Sequence, residues 1–400
     1  MRMAFRVGNH VPDRGRGAGP TIWPMGPLQD VTIVELGGIG PVPFAGMLLS
    51  DAGATVIRVD RVDAVGTGPR TDEPLLRGRR SIAVDLKQPE GVALILRLVA
   101  KADALIEGFR PGVAERLGLG PAPCRETNPS LVYGRMTGWG QDGPMAHAAG
   151  HDINYVALSG ALSMIGPAGA APAVPLNLVG DFGGGAMLLA FGVVSAILAA
   201  RASGVGQVVD AAMVEGASLL TTMIHGLRAQ GLWTDERSSN LLDGGAPFYG
   251  VYETSDGGWV SIGAIEPAFY RELLDRIGLS EDLPAQYDQG TWRQVRTRFE
   301  AVFAGRTLAE WRTVLEGTDA CFAPVLSLDE AAVHPQAGAR GAFIELGGVR
   351  QPAPAPRFGP APPPTPEPPV PVGRHTDVIL GDLGLDSAEV DDLRRRRVVG

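Results

Sequence analysis

The chain has 400 residues, 45% of them hydrophobic and 20% charged, enough for roughly two to three domains with a sizeable core; a wholly disordered or collagen-like chain is excluded. A net charge of −9 argues against nucleic acid or an anionic membrane as the main partner. Two cysteines, Cys124 and Cys321, cannot build a disulfide framework or a cysteine-rich metal site, so a reducing setting, the cytoplasm, is expected.

Residues 1–27 carry arginines without an apolar core and read as a loose tail, not a secretory signal. From Asp30 short apolar runs alternate with helical stretches. VTIVEL, ATVIRV, SIAVDL, DALIEGF and SLVYGRM read as strands, with PVPFAGMLLSDAG, QPEGVALILRLVAKA and PGVAERLG as helices among them. Such alternation predicts an α/β domain, a parallel sheet covered by helices on both faces, over residues 28–225. Further on, GGGAMLLAFGVVSAILAARA reads as a long apolar helix. Its most apolar run, Ala186 to Ala200, is shorter than the ~20 residues of a bilayer span and is closed by Arg201, so it is expected to be a buried helix. GQVVDAAMVEGASLLTTMIHGLRAQG reads as a short strand and another long helix.

The pattern changes near Trp233. FYGVYETSDGGWVSIGA predicts a hairpin turning at SDGG. Amphipathic helices follow, two of them opening with capping-box spacing, Thr307 with Glu310 and Ser327 with Glu330. Residues 230–328 therefore read as a small α+β domain. Residues 329–400 read as a linker, a proline-dense strap (QPAPAPRFGPAPPPTPEPPVPV) and a C-terminal helix returning to the large domain.

After the first strand, GGIGPVPFAG imitates a dinucleotide-binding fingerprint, with Asp60 where a ribose-binding carboxylate would end the second strand. Gly38 and Gly40 fit, but Pro43 stands at the third glycine and Pro41 crowds the turn, which opposes close approach of a pyrophosphate. Arg58, Arg61, Arg77, Arg79, Arg80, Lys87, Arg110 and Arg116 fall at strand ends or loops, where a parallel sheet binds ligands and arginine forks match phosphate oxygens. Three acid–base residues sit beside glycines: His151 in AAGHDINY, Asp181 in NLVGDFGGGAM and Glu266 in SIGAIEPAF. Singly, each has a structural reading: a loop histidine, the N-cap of the long helix, and a carboxylate complementing the helix that starts at Pro267.

The stretches VELGGIGPVPFAGMLLSDAGATVIRVDR, IEGFRPGVAERLGLG, MTGWGQDGP, AGHDINY, PLNLVGDFGGG, GQVVDAAMVEG, LLDGGAPFYGVYE and GAIEPAFY resemble the family III CoA-transferase superfamily and, within it, the α-methylacyl-CoA racemases. The resemblance implies a Rossmann-like large domain and a small domain, two chains interlocked as a homodimer, and a site between the large domain of one and the small domain of the other. It implies His151, Asp181 and Glu266 as the catalytic set. It further implies an acyl-CoA held by Arg61, by Ala83, Val84, Asp85, Leu86 and Lys87 of the AVDLK segment, by Gly108, Phe109 and Arg110, by Arg116, and by Gly150, Asp152, Ile153, Asn154 and Tyr155 around the histidine.

Inverting a carbon beside a thioester requires proton removal from one face and return to the other, hence two bases with pKa values near working pH. Histidine suits one face, with Glu266 to orient it, and Asp181 the other; the N–H groups of the GGG helix start are the expected donors to the enolate oxygen. No metal or separate cofactor is required, CoA being part of the substrate. Met187, Met213 and Met223 could face the acyl chain. The rival is an acyl-CoA:carboxylate CoA-transferase using Asp181 as nucleophile; GAIEP stands where the transferases carry a glycine-rich small-domain loop. A non-catalytic acyl-CoA-binding protein is a third reading.

Overall fold

A computed structural model describes residues 26–66, 72–280, 283–360 and 362–400. The expected N-terminal tail, apart from its last two residues, lies outside the described residues.

The chain first builds β1 (Thr32–Leu36), α1 (Pro41–Asp51), β2 (Thr55–Arg61), β3 (Arg79–Val84), α2 (Pro89–Val99), β4 (Ala104–Glu107), α3 (Val113–Arg116), α4 (Pro121–Thr127) and β5 (Val132–Thr137). After α5 (Asp152–Leu158) come a π-helix, Leu178–Ala186, then α6 (Met187–Ser203), β6 (Val208–Ala212), α7 (Met213–Leu220) and α8 (Thr222–Ala229). The six strands form one parallel sheet in the order β3-β2-β1-β4-β5-β6. Alternate residues feed opposite faces: Val34 and Leu36 join the core against α2, while Ile33 joins that against α1 and α6. Because helices cover both faces, the strands read as nearly continuous apolar runs. Chain order reverses between β1 and β4, which leaves a crevice beyond their carboxyl ends.

The small unit holds β7 (Tyr249–Glu253), β8 (Trp259–Gly263), α9 (Pro267–Ile277), α10 (Trp292–Phe303), α11 (Leu308–Leu315) and β9 (Phe322–Pro324). Its antiparallel sheet, β7-β8-β9, packs an aromatic core of Phe248, Tyr252, Trp292, Phe299, Phe303 and Trp311. The hairpin turns at SDGG, where Thr254 N–H donates to Gly258 O at 2.9 Å. Both capping boxes form, at α11 and at α12 (Leu328–Val333). After α13 (Pro335–Arg340), a short hairpin of β10 (Phe343–Leu346) and β11 (Val349–Pro352) takes up the start of the proline-dense stretch. α14 (Thr376–Asp382) and α15 (Ser387–Arg395) then place Ile379, Leu380, Leu383, Val390 and Leu393 in the same core as β2 and β3.

Three elements differ from the sequence reading. The helix after β6 is two helices meeting at Thr221, and the C-terminal helix breaks where Gly384 takes φ +85. The long apolar helix is not buried all round: Leu189, Val193 and Ile197 face the core, but Phe191 and Leu198 are 70% and 74% exposed. Counted with the π-turn before it, it runs 26 residues, Leu178–Ser203, and an 18-residue stretch within it has mean hydropathy 2.0. By length and composition the combined helix is enough to cross a membrane, although the apolar run itself, Ala186 to Ala200, is shorter than a span.

Candidate active site

A cavity of about 380 Å³ opens at the crevice. The start of α1, the GFRP loop after β4, the TGW loop after β5, and His151, Tyr155, Asp181 and Met213 line it. The structure thus brings two of the three acid–base residues to one chamber.

His151 precedes α5 in extended conformation, and its N–H donates to Asn154 Oδ1 at 3.0 Å. Behind it, Tyr155 Oη donates to Gly150 O, and the Tyr155 ring stands edge-on to Trp139 with centroids 4.7 Å apart. Only glycine fits at 150, because a Cβ there would lie 2.8 Å from the Tyr155 ring and 2.9 Å from that of Trp139. The histidine is therefore presented from a backbone locked by aromatic packing.

Asp181 does not cap a helix. It is the fourth residue of the π-helix, whose cap is Asn177, and the Asn177 amide donates to Asp181 Oδ2 at 3.4 Å. The next residue, Phe182, stacks on Phe44 of α1 at 4.4 Å. Across the cavity mouth the β1–α1 turn comes close at Gly40, φ +68, where a Cβ would sit 3.1 Å from Asp181 Oδ2. Burial is the main cause lifting the Asp181 carboxyl above its ordinary value, and the negative charge of Asp152 adds to it; Asn177 and the charge of His151 pull the other way.

The GGG segment is not a free helix start. Phe182 N–H donates to Asn177 O and Met187 N–H to Phe182 O, so the N–H groups of Gly183, Gly184 and Gly185 lie inside the five-residue ladder and are spent on it. These glycines serve packing: a Cβ on Gly184 would lie 2.6 Å from Ala217 N, and one on Gly216 would lie 1.8 Å from Gly184 O. The π-helix and α7 touch backbone to backbone.

Glu266 stands at the start of α9 in the small unit, close enough to Cys321 for its charge to help raise that thiol's pKa, and it does not line this cavity. Every residue lining the cavity lies between Ile39 and Met213.

The basic cluster divides in two. Arg77 is buried against Asp51, Arg79 against Glu35, and Arg58 against Asp60, whose carboxylate also accepts from Ser81 Oγ. Asp60 is thereby occupied, and Pro43 O accepts from Arg79, so the apparent dinucleotide fingerprint is structural. Arg80 approaches Asp382 at 3.9 Å. Arg61, Lys87, Arg110 and Arg116 are exposed beyond the carboxyl ends of β2, β3 and β4, Arg61 in a surface ion pair with Asp63 at 2.5 Å. A second cavity, about 420 Å³, reaches from Arg61 and Arg58 to Ile39 and Gly40, which it shares with the first. Arg58 lines it, but its two terminal amino groups are buried with no hydrogen-bond partner among the described residues.

The AVDLK segment is not open along its length. Ala83 and Val84 are buried, and the C-terminal residues cover them: Gly400 N–H donates to Ala83 O at 3.0 Å and Asp85 N–H to Val398 O at 2.9 Å. Leu86 packs against the core, and Asp85 Oδ1 accepts from Lys87 N–H. Gly108 and Phe109 line the first cavity with Arg110; Asp152, Ile153 and Asn154 do not. Of the three methionines, Met213 lines it, whereas Met187 and Met223 are exposed outside. Sequence reasoning missed Asn177, whose signal was its place four residues before Asp181, the spacing of a helical side-chain pair. It missed Trp139 and Met136 as well, apolar residues without a distinguishing local pattern.

The profile of CoA-transferase family III matches residues 28–376. The chain is 45% identical to mouse alpha-methylacyl-CoA racemase and 44% identical to the human one, with 93% of this chain and 97% of each relative covered. Its fold is similar to that of a CAIB/BAIF family protein from Brucella suis, with TM-score 0.76 and 24% identity over 90% of this chain and 99% of the other.

Proposed function

The chain belongs to CoA-transferase family III, and from that premise we propose that it is a racemase interconverting the (R) and (S) forms of 2-methylacyl-CoA thioesters by 1,1-proton transfer. The observation that carries this reading is the pairing of His151 and Asp181 on the wall of one cavity, together with racemase relatives matched over nearly the whole chain.

A thioester α-hydrogen is a weak acid, and its removal leaves a planar enolate that can be reprotonated from either face. One base takes the proton and the other, already protonated, returns one; His151 and Asp181 fill these roles, exchanging them with the direction of reaction. A carboxyl lifted by burial is a stronger base once ionised, which suits Asp181 to the task. Since the GGG N–H groups are spent and Asn154 N–H donates to His151 O at 2.8 Å, the N–H groups of Asp152 and Ile153, which open α5 directly after His151 with no carbonyl behind them, are the candidates for the enolate oxygen. Arg61, Lys87, Arg110 and Arg116, exposed beyond the carboxyl ends of the strands, hold the phosphates of CoA.

The reading extends to a homodimer in the cytoplasm, with no membrane partner and no cofactor beyond CoA itself. Glu266, absent from its own chain's cavity, would reach the histidine of the partner. The apolar stripe Met187, Phe191, Val194 and Leu198 on α6, exposed in one chain, supports a large covered face.

Incubating purified protein with a single enantiomer of a 2-methylacyl-CoA in D2O tests the proposal. Mass spectrometry should find α-deuterium, and the enantiomers should approach an even mixture without added metal or NAD. Movement of CoA to a free carboxylate, with no α-exchange, would assign the transferase instead.

A further inference from the structure

Asp152, carried above as an implied substrate contact, is turned away from the cavity: it is 6% exposed, and its Oδ1 accepts the backbone N–H of Asp181 at 2.6 Å. That N–H lies in the first turn of the π-helix, where no carbonyl precedes it to serve as partner. The contact is close enough to dictate its surroundings, for a Cβ on Gly180 would fall 2.6 Å from the same oxygen. Asp152 also follows His151 directly in the chain and opens α5, which packs against the π-helix. One residue thus joins both bases, the histidine through a peptide bond and the aspartate through a hydrogen bond.

We propose that Asp152 is a positioning residue that sets the separation of His151 and Asp181, holding the π-helix turn at a fixed distance from the start of α5. This rests on the racemase reading. Its effect on the two bases is unequal. His151 stays fixed by Asn154, Gly150 and Tyr155 even without the carboxylate, whereas Asp181 loses the one hydrogen bond made to its own backbone N–H. The outer oxygen of Asp152, buried and without a partner among the described residues, leaves its charge little screened, and that charge helps raise the Asp181 carboxyl. The other groups around Asp181 are His151 and Tyr155 from the α5 segment, with Arg110 interacting through Tyr155. Among the elements packed on the π-helix, α1 contributes Asp51, paired with Arg77, and α6 only Arg201, paired with Asp103; Glu215 of α7 and Asp210 of β6 interact with one another.

The test compares Asp152→Asn and Asp152→Ala with wild type, measuring α-deuterium uptake from each enantiomer separately and the pH profile of kcat. Asn keeps an acceptor oxygen and removes the charge. Its kcat should stay within about tenfold of wild type, with KM little changed and the acid limb moved to lower pH. Ala removes the acceptor, so uptake from the enantiomer that Asp181 deprotonates should fall about 100-fold, as a misplacement near 1 Å would cause, while uptake from the other stays within a few-fold. Equal losses from both enantiomers, an Ala variant matching wild type, or an unmoved acid limb in the Asn variant would overturn the assignment. Should Asp152→Ala not fold, the Asn profile decides. A wild type inert toward both enantiomers would instead overturn the racemase reading, and this assignment with it.

Discussion

At the scale of single residues the two bases are held differently, and that difference is measurable. His151 sits on a backbone pinned by Tyr155 and Asn154, Asp181 on a helical turn pinned by Asn177 and Asp152. In the proposed reaction each serves one face. His151→Ala should cut racemisation by about 10²–10⁴-fold yet keep α-exchange from one enantiomer, and Asp181→Ala should keep it from the other; α-deuterium counts from each pure enantiomer would show it. Loss of exchange from both in either variant would contradict the two-face scheme. The stability effect of Asp181 has a definite sign. Burial raises its folded-state pKa, so the folded protein holds that proton more tightly than the unfolded chain does. The penalty is fully present above the raised pKa and vanishes as pH falls below the unfolded value. Asp181→Asn should therefore raise the Tm at pH 7 and lose that advantage near pH 3, as scanning calorimetry at the two pH values would reveal. The acid–base residues themselves were legible from the motifs around them, whereas Asn177 and Asp152 were not legible in these roles, because what they do depends on a partner's backbone.

Among elements, the π-helix is the one on which the proposed site depends. An α-helical continuation from α6 would bond each N–H to the fourth carbonyl before it and turn Asp181 differently; the wider π turn is stabilised where α7 meets it without side chains between. Gly216 lets α7 come that close, since any Cβ there would lie 1.8 Å from Gly184 O. Gly216→Ala should cost about 1–3 kcal/mol as the two backbones are forced apart. Urea unfolding would measure it, and racemase activity should fall by more than the folded fraction does because Asp181 moves with its helix. An unchanged midpoint with full activity would show that the contact is not required. The glycines were visible in GGGAM and MVEG, but glycine permits both a free helix start and a close backbone contact. Only the packing of α7 selects the second. The same limit explains the long apolar helix, whose composition revealed no face, although three-dimensional packing turns Leu189 inward and leaves Phe191 outside.

For the whole molecule, the exposed stripe on α6 and the distance of Glu266 from its own chain's cavity both bear on assembly. Phe191→Glu places a charge in the middle of that stripe, 70% exposed in one chain. Sedimentation velocity should find the wild type as a dimer and the variant largely as a monomer with little racemase activity. A monomeric wild type with full activity would contradict the shared site. Much of the architecture was readable beforehand, for a parallel sheet buried on both faces needs continuous apolar strands, and helices covering it need periodic apolar stripes; β1 to β5 and α1 to α2 follow from such local patterns. The hairpin at SDGG and the capping boxes of α11 and α12 were readable for the same reason, their hydrogen bonds closing within a few residues. What the local pattern could not decide was which charges are spent. Arg77 and Arg79 looked like Arg110 in the sequence, yet their carboxylate partners, Asp51 and Glu35, reach them only once strands and helices are assembled. The AVDLK backbone likewise looked open until residues from the far end of the chain bonded to it. The sequence by itself determined the strand–helix order and the candidate bases, because spacing along the chain encodes both. Tertiary structure alone decided which polar groups remain free to meet a substrate, because a buried charge or N–H is satisfied by whatever the fold brings beside it, at any distance in sequence.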